Sequence, residues 1–258
     1  MKTLIVANWK MNPQDLVEAR QIFNSLKKGM QSVGKRGKNI EIIVCPPFLY
    51  LYEFLRGLRK IHIIKLGAQN CFWEEGGAFT GEISPKQLLN LGCQYVILGH
   101  SERRRYFGET DEIINKKIKK SLEFKLNPIF CVGENLQERE KGQTIMVLQT
   151  QTKEGLKKVT KKEVPKIIIA YEPIWAIGLG RACPINEAQS MGLLIKKIIA
   201  QMYGRTVSKN LRVLYGGSVN SQNAADYIKE AHLDGLLVGG ASLKPAEFIR
   251  IVKSVLHL

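Results

Sequence analysis

The amino-acid sequence predicts an α/β protein built as a single closed (β/α)8 barrel. Eight short apolar runs recur along the 258 residues, and each is followed by a longer segment with apolar residues at helical spacing. Strands that alternate with helices indicate a parallel sheet, and eight such units in about 250 residues fit a closed barrel. Because no linker, low-complexity tract or change of composition divides the chain, we expect one domain over residues 1–258.

The predicted strands are rich in Val, Ile and Leu, which is typical of strands buried on both faces. They are Thr3–Ala7, Ile40–Cys45, Ile61–Leu66, Tyr95–Leu98, Pro128–Val132, Lys166–Ala170, Arg212–Leu214 and Gly235–Val238. Between them, i, i+3, i+4 periodicity predicts helices such as Ile113–Phe124 and Ala188–Met202. A doubly wound open sheet is the structural alternative. It would usually show a glycine-rich turn after the first strand, where this chain has Asn8-Trp9-Lys10.

Composition excludes several classes of protein. No apolar run approaches the roughly 20 residues needed to cross a bilayer, and the N-terminal apolar run is too short for a signal peptide. Five scattered cysteines without a CxxC pair indicate a cytosolic protein with free thiols.

The net charge is +16, and two lysine clusters, over residues 116–120 and 157–162, contribute much of it. These lysines interleave with apolar residues, so we interpret them as solvated helix faces rather than as a nucleic-acid surface. No nucleic-acid-binding motif accompanies them, although a positive field would also steer an anionic substrate.

Polar residues and glycines follow several predicted strands, at the edge of a barrel where chemistry occurs. They are Asn8 and Lys10 after the first strand, His100, Ser101 and Glu102 after the fourth, Glu172 after the sixth, Gly216-Gly217-Ser218 after the seventh and Gly239-Gly240 after the eighth. A carboxylate at a strand end suits a general base, and an apolar, glycine-containing segment after it suits a lid.

The same set suggests how an anion would be bound. Glycine turns after the seventh and eighth strands predict a phosphate site, because backbone N–H groups can approach a ligand closely there. Lys10 faces the same mouth and suits an electrostatic role. His100 precedes a predicted helix start at Ser101, whose positive end favours the neutral imidazole. The other three histidines, His62, His232 and His257, lack such a setting.

At these residues the chain closely resembles the triosephosphate isomerase family. The matching motifs run in order from the first strand to the last and span nearly the whole chain: 7–12 (ANWKMN), 67–70 (GAQN), 77–84 (GAFTGEIS), 99–104 (GHSERR), 131–134 (CVGE), 171–178 (YEPIWAIG), 215–219 (YGGSV) and 238–243 (VGGASL).

The resemblance implies interconversion of dihydroxyacetone phosphate and glyceraldehyde 3-phosphate, with no cofactor and no metal. It implies Glu172 as the base that moves a proton between adjacent carbons, and neutral His100 as the group that polarises the carbonyl, a pairing for which this family is a standard example. Lys10 would supply positive charge, Asn8 a hydrogen bond, and Glu102 would hold Lys10. Backbone N–H groups of Gly178, Ser218, Gly239 and Gly240 would bind the phosphate.

The chain departs from the family pattern around the lid. Leu179 replaces the usual Thr, and the closing hinge reads Arg181-Ala182-Cys183 with Pro184 where a polar cap is common. Proline fixes φ and restricts the residue before it, so we expect a stiffer hinge with the chemistry retained. The long loop Gln69–Ile83, with Trp73 and Phe79, is by resemblance a dimer arm whose Thr80 reaches the partner.

Two other functions remain alternatives. A Schiff-base aldolase on the same barrel needs a lysine at a central strand end, and the position after the sixth strand is Glu172. A non-catalytic basic protein could bind nucleic acid or membranes, but it would have no need of Asn8, Lys10, His100 and Glu172. We therefore expect a cytoplasmic isomerase that binds a small triose phosphate and neither nucleic acid nor membrane. A homodimer is the expected assembly, and a tetramer is the alternative.

Overall fold

Eight parallel strands close into a barrel in the computed structural model, each pairing with the next along the chain and the last pairing with the first. The structure describes residues 1–31, 33, 39–58, 63–177 and 182–256. The strands are β1 (Thr3–Asn8), β2 (Ile40–Cys45), β3 (Ile64–Ala68), β4 (Tyr95–Leu98), β5 (Asn127–Val132), β6 (Ile168–Tyr171), β7 (Arg212–Tyr215) and β8 (Gly235–Val238).

Helices follow the strands around the outside of the barrel, which confirms the predicted (β/α)8 fold. In the described ranges the α-helices are α1 (Leu16–Gln31), α2 (Phe48–Leu58), α3 (Pro85–Asn90), α4 (Ser101–Phe107), α5 (Asp111–Glu123), α6 (Leu136–Glu140), α7 (Thr144–Gly155), α8 (Ile185–Tyr203), α9 (Arg205–Asn210), α10 (Ala224–Lys229) and α11 (Pro245–Ser254). Short 3-10 helices span Val164–Lys166, Ile174–Ala176 and Gly240–Leu243.

The strands are buried on both faces, as their apolar composition predicts. Alternate residues point inward and form a compact interior cluster, to which β1 contributes Leu4 and Val6 and β4 contributes Tyr95 and Ile97. The intervening residues, such as Ile5, pack outward against the helices. Because the two sets alternate along each strand, residues just beyond the strands' carboxyl ends meet at one mouth of the barrel.

Two predicted strands are misplaced by two or three residues. We predicted Ile61–Leu66, whereas β3 begins at Ile64 and continues through Gly67 and Ala68, because these two residues pair with Tyr95 and Val96 of β4; residues 61 and 62 lie outside the described ranges. We also predicted a strand from Lys166, but Lys166 ends a 3-10 helix over Val164–Lys166, and β6 begins at Ile168. Pairing partners, which lie far away in sequence, decide such ends.

The two predicted helices are confirmed, with earlier starts. α5 begins at Asp111 because the Thr110 side chain accepts the Ile113 N–H and caps the helix. α8 begins at Ile185 with Pro184 at the cap position, where no side chain makes a cap hydrogen bond. It ends before Gly204, whose φ of 95° lies in the left-handed region that favours glycine.

The interpretation of the lysine clusters as solvated helix faces is partly wrong. Lys117 is only 3% exposed, and its Nζ donates to Asn70 Oδ1 at 3.0 Å and to Glu109 Oε1 at 2.5 Å. The second cluster is exposed but follows α7 rather than lying on a helix, since the chain turns at Lys158 with a φ of 61°. Periodicity alone did not distinguish a helix from a turn here.

No helix in the described part of the chain is both long and apolar enough to cross a membrane. All five cysteines are buried and free. Burial raises the pKa of the Cys183 thiol to about 12, which keeps it protonated near neutral pH.

Candidate active site

The carboxyl ends of the strands surround a cavity of about 210 Å³. It brings together seven of the residues that the sequence singled out, namely Asn8, Lys10, His100, Glu172, Ser218, Gly239 and Gly240. Glu102 lies beside the cavity, in contact with Lys10. Gly178 and the glycine-containing end of the predicted lid fall within 178–181, outside the described residues.

Glu172 lies one residue past β6 and is 2% exposed. Its backbone N–H donates to the Val132 carbonyl at 2.8 Å, and its carboxylate Oε2 accepts the backbone N–H of Ser101 at 2.9 Å. Oε1 is buried and has no hydrogen-bond partner among the described residues. A buried carboxylate oxygen without a partner is costly, so Oε1 marks the place where a ligand group would fit.

His100 presents its imidazole to that free oxygen. Nε2 lies 3.1 Å from Oε1 of Glu172, although the contact lacks hydrogen-bond geometry. Nδ1 accepts the backbone N–H of Glu102 at 3.3 Å, because His100 caps the N-terminus of α4. A nitrogen that accepts cannot carry the proton, so we assign the proton of the neutral ring to Nε2, toward the cavity.

Lys10 enters the cavity from a strained backbone position, with a φ of 55° that non-glycine residues seldom adopt. Its N–H donates to Asn8 Oδ1 at 3.1 Å, and its carbonyl accepts from Gln69 Nε2 at 2.8 Å. Nζ lies 2.5 Å from Glu102 Oε1, an ion pair with partly exposed side chains. These contacts fix one positive charge at the cavity wall.

In the glycine turn after β7, the backbone packs closely against the side chains of Glu172 and Tyr215. A Cβ on Gly216 would lie 2.9 Å from Glu172 Cγ, and one on Gly217 would lie 2.3 Å from the Tyr215 hydroxyl. The N–H groups of Ser218, Gly239 and Gly240 donate to no acceptor among the described residues. Clustered free N–H groups beside a lysine are suited to an anion.

Sequence reasoning assigned no role to Glu134, Gln69 or the Ser101 N–H. Glu134 is fully buried after β5, and its Oε1 accepts from Tyr171 Oη at 3.1 Å and Trp175 Nε1 at 2.8 Å. Burial raises the pKa of this carboxyl, an effect that these two donors oppose. A carboxylate two residues after an apolar strand was the available signal for Glu134, whereas nothing local indicated the role of the Ser101 backbone N–H.

The residues around the predicted lid are described on both sides of the gap. Ile174–Ala176 form a 3-10 helix before it, and the Ser218 hydroxyl donates to the Ala176 carbonyl at 2.7 Å. After it, Pro184 precedes α8 without a side-chain cap. Leu179 and Arg181 lie outside the described ranges. The stiffer hinge expected from Pro184 concerns the rate of motion and stays a prediction.

No group of three or more His, Cys, Asp or Glu side chains in the described ranges is arranged to hold a metal ion. The arrangement offers instead a carboxylate with a free oxygen, an imidazole N–H, an ammonium group and free backbone N–H groups around one small cavity. Such a set can remove a proton next to a carbonyl and stabilise the resulting oxyanion.

Comparison with known proteins gives a consistent picture. A family model described as triosephosphate isomerase matches residues 3–255. The chain is 50% identical over 256 residues to the triosephosphate isomerase of Dictyoglomus thermophilum, covering 98% of this chain and 99% of that protein. It is 48% identical to the enzyme of that name from Endomicrobium trichonymphae and 45% identical to that of Alkaliphilus oremlandii, with 97–98% of each chain covered.

Proposed function

The chain belongs to the triosephosphate isomerase family and interconverts dihydroxyacetone phosphate and D-glyceraldehyde 3-phosphate, and we propose that it does so with Glu172 as the catalytic base. The observation that supports this role is the buried, unpartnered Oε1 of Glu172, which faces His100 Nε2 across 3.1 Å. A base needs a lone pair aimed at the carbon acid, and Oε1 has one.

The proposed reaction moves only protons. Glu172 removes a proton from the carbon next to the substrate carbonyl, and the electron pair of the broken C–H bond moves to form an enediolate. His100 donates a hydrogen bond from Nε2 to the carbonyl oxygen and shuttles protons between the two enediolate oxygens. Protonated Glu172 then returns its proton to the adjacent carbon, which gives the isomer and regenerates the carboxylate.

Lys10, Asn8 and Glu102 complete the electrostatic arrangement that we propose. Lys10 Nζ opposes the negative charge of the substrate and the enediolate. Glu102, 2.5 Å away, holds that ammonium group in place. Asn8 Oδ1 already accepts the Lys10 N–H, which leaves its amide nitrogen as a donor to the substrate.

The substrate phosphate would be bound by backbone N–H groups of Ser218, Gly239 and Gly240, and by Gly178 of the predicted lid. Ser218, Gly239 and Gly240 lie after the ends of β7 and β8, where Gly239 leaves room for Lys10, whose Cε would lie 3.3 Å from an added Cβ. Binding energy from the non-reacting phosphate would orient the small reacting part.

We also propose a cytoplasmic homodimer in which residues 1–258 act as one catalytic domain. The arm from Trp73 to Thr80 supports the dimer, since Phe72 stacks on Trp73 at 4.0 Å and packs on Phe79 at 4.7 Å. This stack stiffens a protruding loop whose Phe79 is 43% exposed. A rigid loop that presents an aromatic side chain is typical of an interface.

The Schiff-base alternative is less well supported. Lys10 is the lysine that lines the cavity, and its Nζ is bound to Glu102 Oε1 in an ion pair. The position after β6, where such an enzyme would need its lysine, is the carboxylate of Glu172.

The test is a coupled assay that follows isomerisation of glyceraldehyde 3-phosphate by the wild type, by Glu172→Gln and by Glu123→Gln. Glu123 is a solvent-exposed carboxylate paired with Lys120 on α5, far from the cavity, and serves as the matched control. We expect a loss on the order of a hundredfold or more in kcat for Glu172→Gln and wild-type rates for the control. Full activity in Glu172→Gln would exclude Glu172 as the base.

A further inference from the structure

Two stacked tyrosines lie outside the cavity, beneath the turn that follows β7. The rings of Tyr215, the last residue of β7, and Tyr227 on α10 have centroids 3.7 Å apart and an angle of 14° between their planes. Both side chains are fully buried, and neither lines the cavity. The reaction proposed above uses neither of them.

The two hydroxyl groups bind the N–H and the carbonyl of one residue, Cys183. The Cys183 N–H donates to Tyr215 Oη at 3.0 Å, and Tyr227 Oη donates to the Cys183 carbonyl at 2.5 Å. Burial raises the pKa of both tyrosines, that of Tyr227 to about 12.

These contacts link the two tyrosines through one residue. The Cys183 N–H donates to Tyr215 Oη and the Cys183 carbonyl accepts from Tyr227 Oη, so removal of the Tyr227 hydroxyl leaves that buried carbonyl without its side-chain donor. Through this contact and the ring stack, Tyr227 holds the Tyr215 phenol as well as the main chain before α8.

The Tyr215 phenol in turn supports the phosphate turn. A Cβ built on Gly217 would lie 2.3 Å from Tyr215 Oη and 2.6 Å from Cζ, so the main chain rests directly on the hydroxyl end of the ring. A shift of this ring must move the turn, because backbone and phenol are already in contact. The next residue, Ser218, carries one of the N–H groups proposed to bind phosphate.

We propose that Tyr227 is a positioning residue for the phosphate end of the site, acting through Tyr215 on the turn at Gly217 and Ser218. The proposal rests on the function proposed above and extends it to a side chain that does not touch the substrate. Its consequence is a defect confined to substrates that carry a phosphate.

The test compares Tyr227→Phe with Tyr203→Phe, each of which removes one oxygen. Tyr203 is the matched control because its hydroxyl also donates to a backbone carbonyl, that of Leu156 at 2.8 Å, away from the cavity. The readouts are kcat/KM for glyceraldehyde 3-phosphate and for glyceraldehyde, which has the same reacting carbons but no phosphate. Isomerisation of glyceraldehyde is followed by NMR.

For Tyr227→Phe we expect kcat/KM to fall roughly tenfold with glyceraldehyde 3-phosphate, the effect of about one unmet buried hydrogen bond, and to stay at the wild-type value with glyceraldehyde. Tyr203→Phe should match the wild type with both substrates. Gly217→Ala, which forces a methyl group against Tyr215, should reproduce the phosphate-specific loss.

Equal losses with both substrates would assign Tyr227 a purely structural role and overturn the proposal, as would unchanged values with both. Thermal unfolding of each variant shows whether the fold is retained. These results are distinct from those that would contradict the function proposed above. In that case the wild type would show no isomerase activity, or Glu172→Gln would keep full activity.

Discussion

His100 Nε2 lies 3.1 Å from Glu172 Oε1 without a hydrogen bond between them. The other oxygen of Glu172 is held by the Ser101 N–H at 2.9 Å, and the other nitrogen of His100 by the Glu102 N–H at 3.3 Å. Both side chains are thus anchored at one end by the first turn of α4 and free at the other. The two free ends face the same point, which is where the reacting carbons would lie.

Replacing His100 with Asn removes the Nε2 donor while a polar side chain remains at the helix cap. We expect kcat to fall by a factor on the order of 10² to 10⁴ with little change in KM, because the donor stabilises the developing enediolate more than the bound substrate. Steady-state kinetics measure the effect. His232→Asn is the control, since His232 is exposed and its left-handed φ of 52° is tolerated by Asn. A change in KM alone would argue against the proposed role.

Gly235 lies where β8 closes the barrel against β1. A Cβ there would lie 2.1 Å from the Leu4 carbonyl oxygen, a backbone atom held by the sheet. We expect Gly235→Ala to lower the free energy of unfolding by about 1–3 kcal/mol, measured by urea denaturation. Gly76→Ala is the control, because nothing lies within 4 Å of its Cβ position. Equal stability of the two variants would show that the backbones of β1 and β8 can move apart enough to accommodate the added methyl group.

Glu134 should make the protein less stable as the pH rises. Burial raises the pKa of Glu134 in the native state above its value in the unfolded chain. As the pH rises, the unfolded chain therefore releases this proton first, and the free energy of unfolding falls between the two pKa values. Below that window the contribution to stability is fully present. Glu134→Gln cannot titrate, so its free energy of unfolding relative to the wild type should increase from about pH 4 to about pH 7.

Urea denaturation at both pH values measures this difference, with Glu123→Gln as the exposed control. Gln keeps an acceptor oxygen for Tyr171 and Trp175, the two donors that Glu134 Oε1 binds. A difference between variant and wild type that does not vary with pH would mean that Glu134 titrates alike in the native and unfolded chains.

Phe79 tests the proposed dimer arm. Phe79→Asp places a charge at the exposed tip of the aromatic stack, and we expect the dimer dissociation constant to rise roughly tenfold or more. Leu193→Asp is the control, because Leu193 is 63% exposed on α8 and lies outside the arm. Sedimentation equilibrium distinguishes the states. Dimerisation that survives Phe79→Asp, or that Leu193→Asp weakens equally, would place the interface elsewhere.

Much of the site could be predicted because strand ends are local features. Glu172, His100 and Lys10 each follow an apolar run, and the carboxyl ends of barrel strands meet at one mouth, so the sequence predicts that these residues lie together. The bounds of β3 and β6 could not be predicted as well, since Gly67 and Ala68 extend β3 only by pairing with Tyr95 and Val96.

The lysine clusters show a second limit. Lys117 has the same sequence surroundings as the exposed Lys116, yet it is buried against Glu109 and Asn70. Which lysine turns inward depends on carboxylate and amide partners from other segments, and these become neighbours only after the chain has folded.

Apolar periodicity and glycine turns lie within short segments, so they were enough to predict the barrel, the order of its strands and the residue types at its mouth. Only the folded chain leaves Oε1 of Glu172 without a partner, turns Nε2 of His100 toward the cavity, and brings the Tyr215 and Tyr227 hydroxyls to the N–H and carbonyl of Cys183. These features depend on distances between atoms of different strands and helices. The residue pattern within one segment carries no information about such distances.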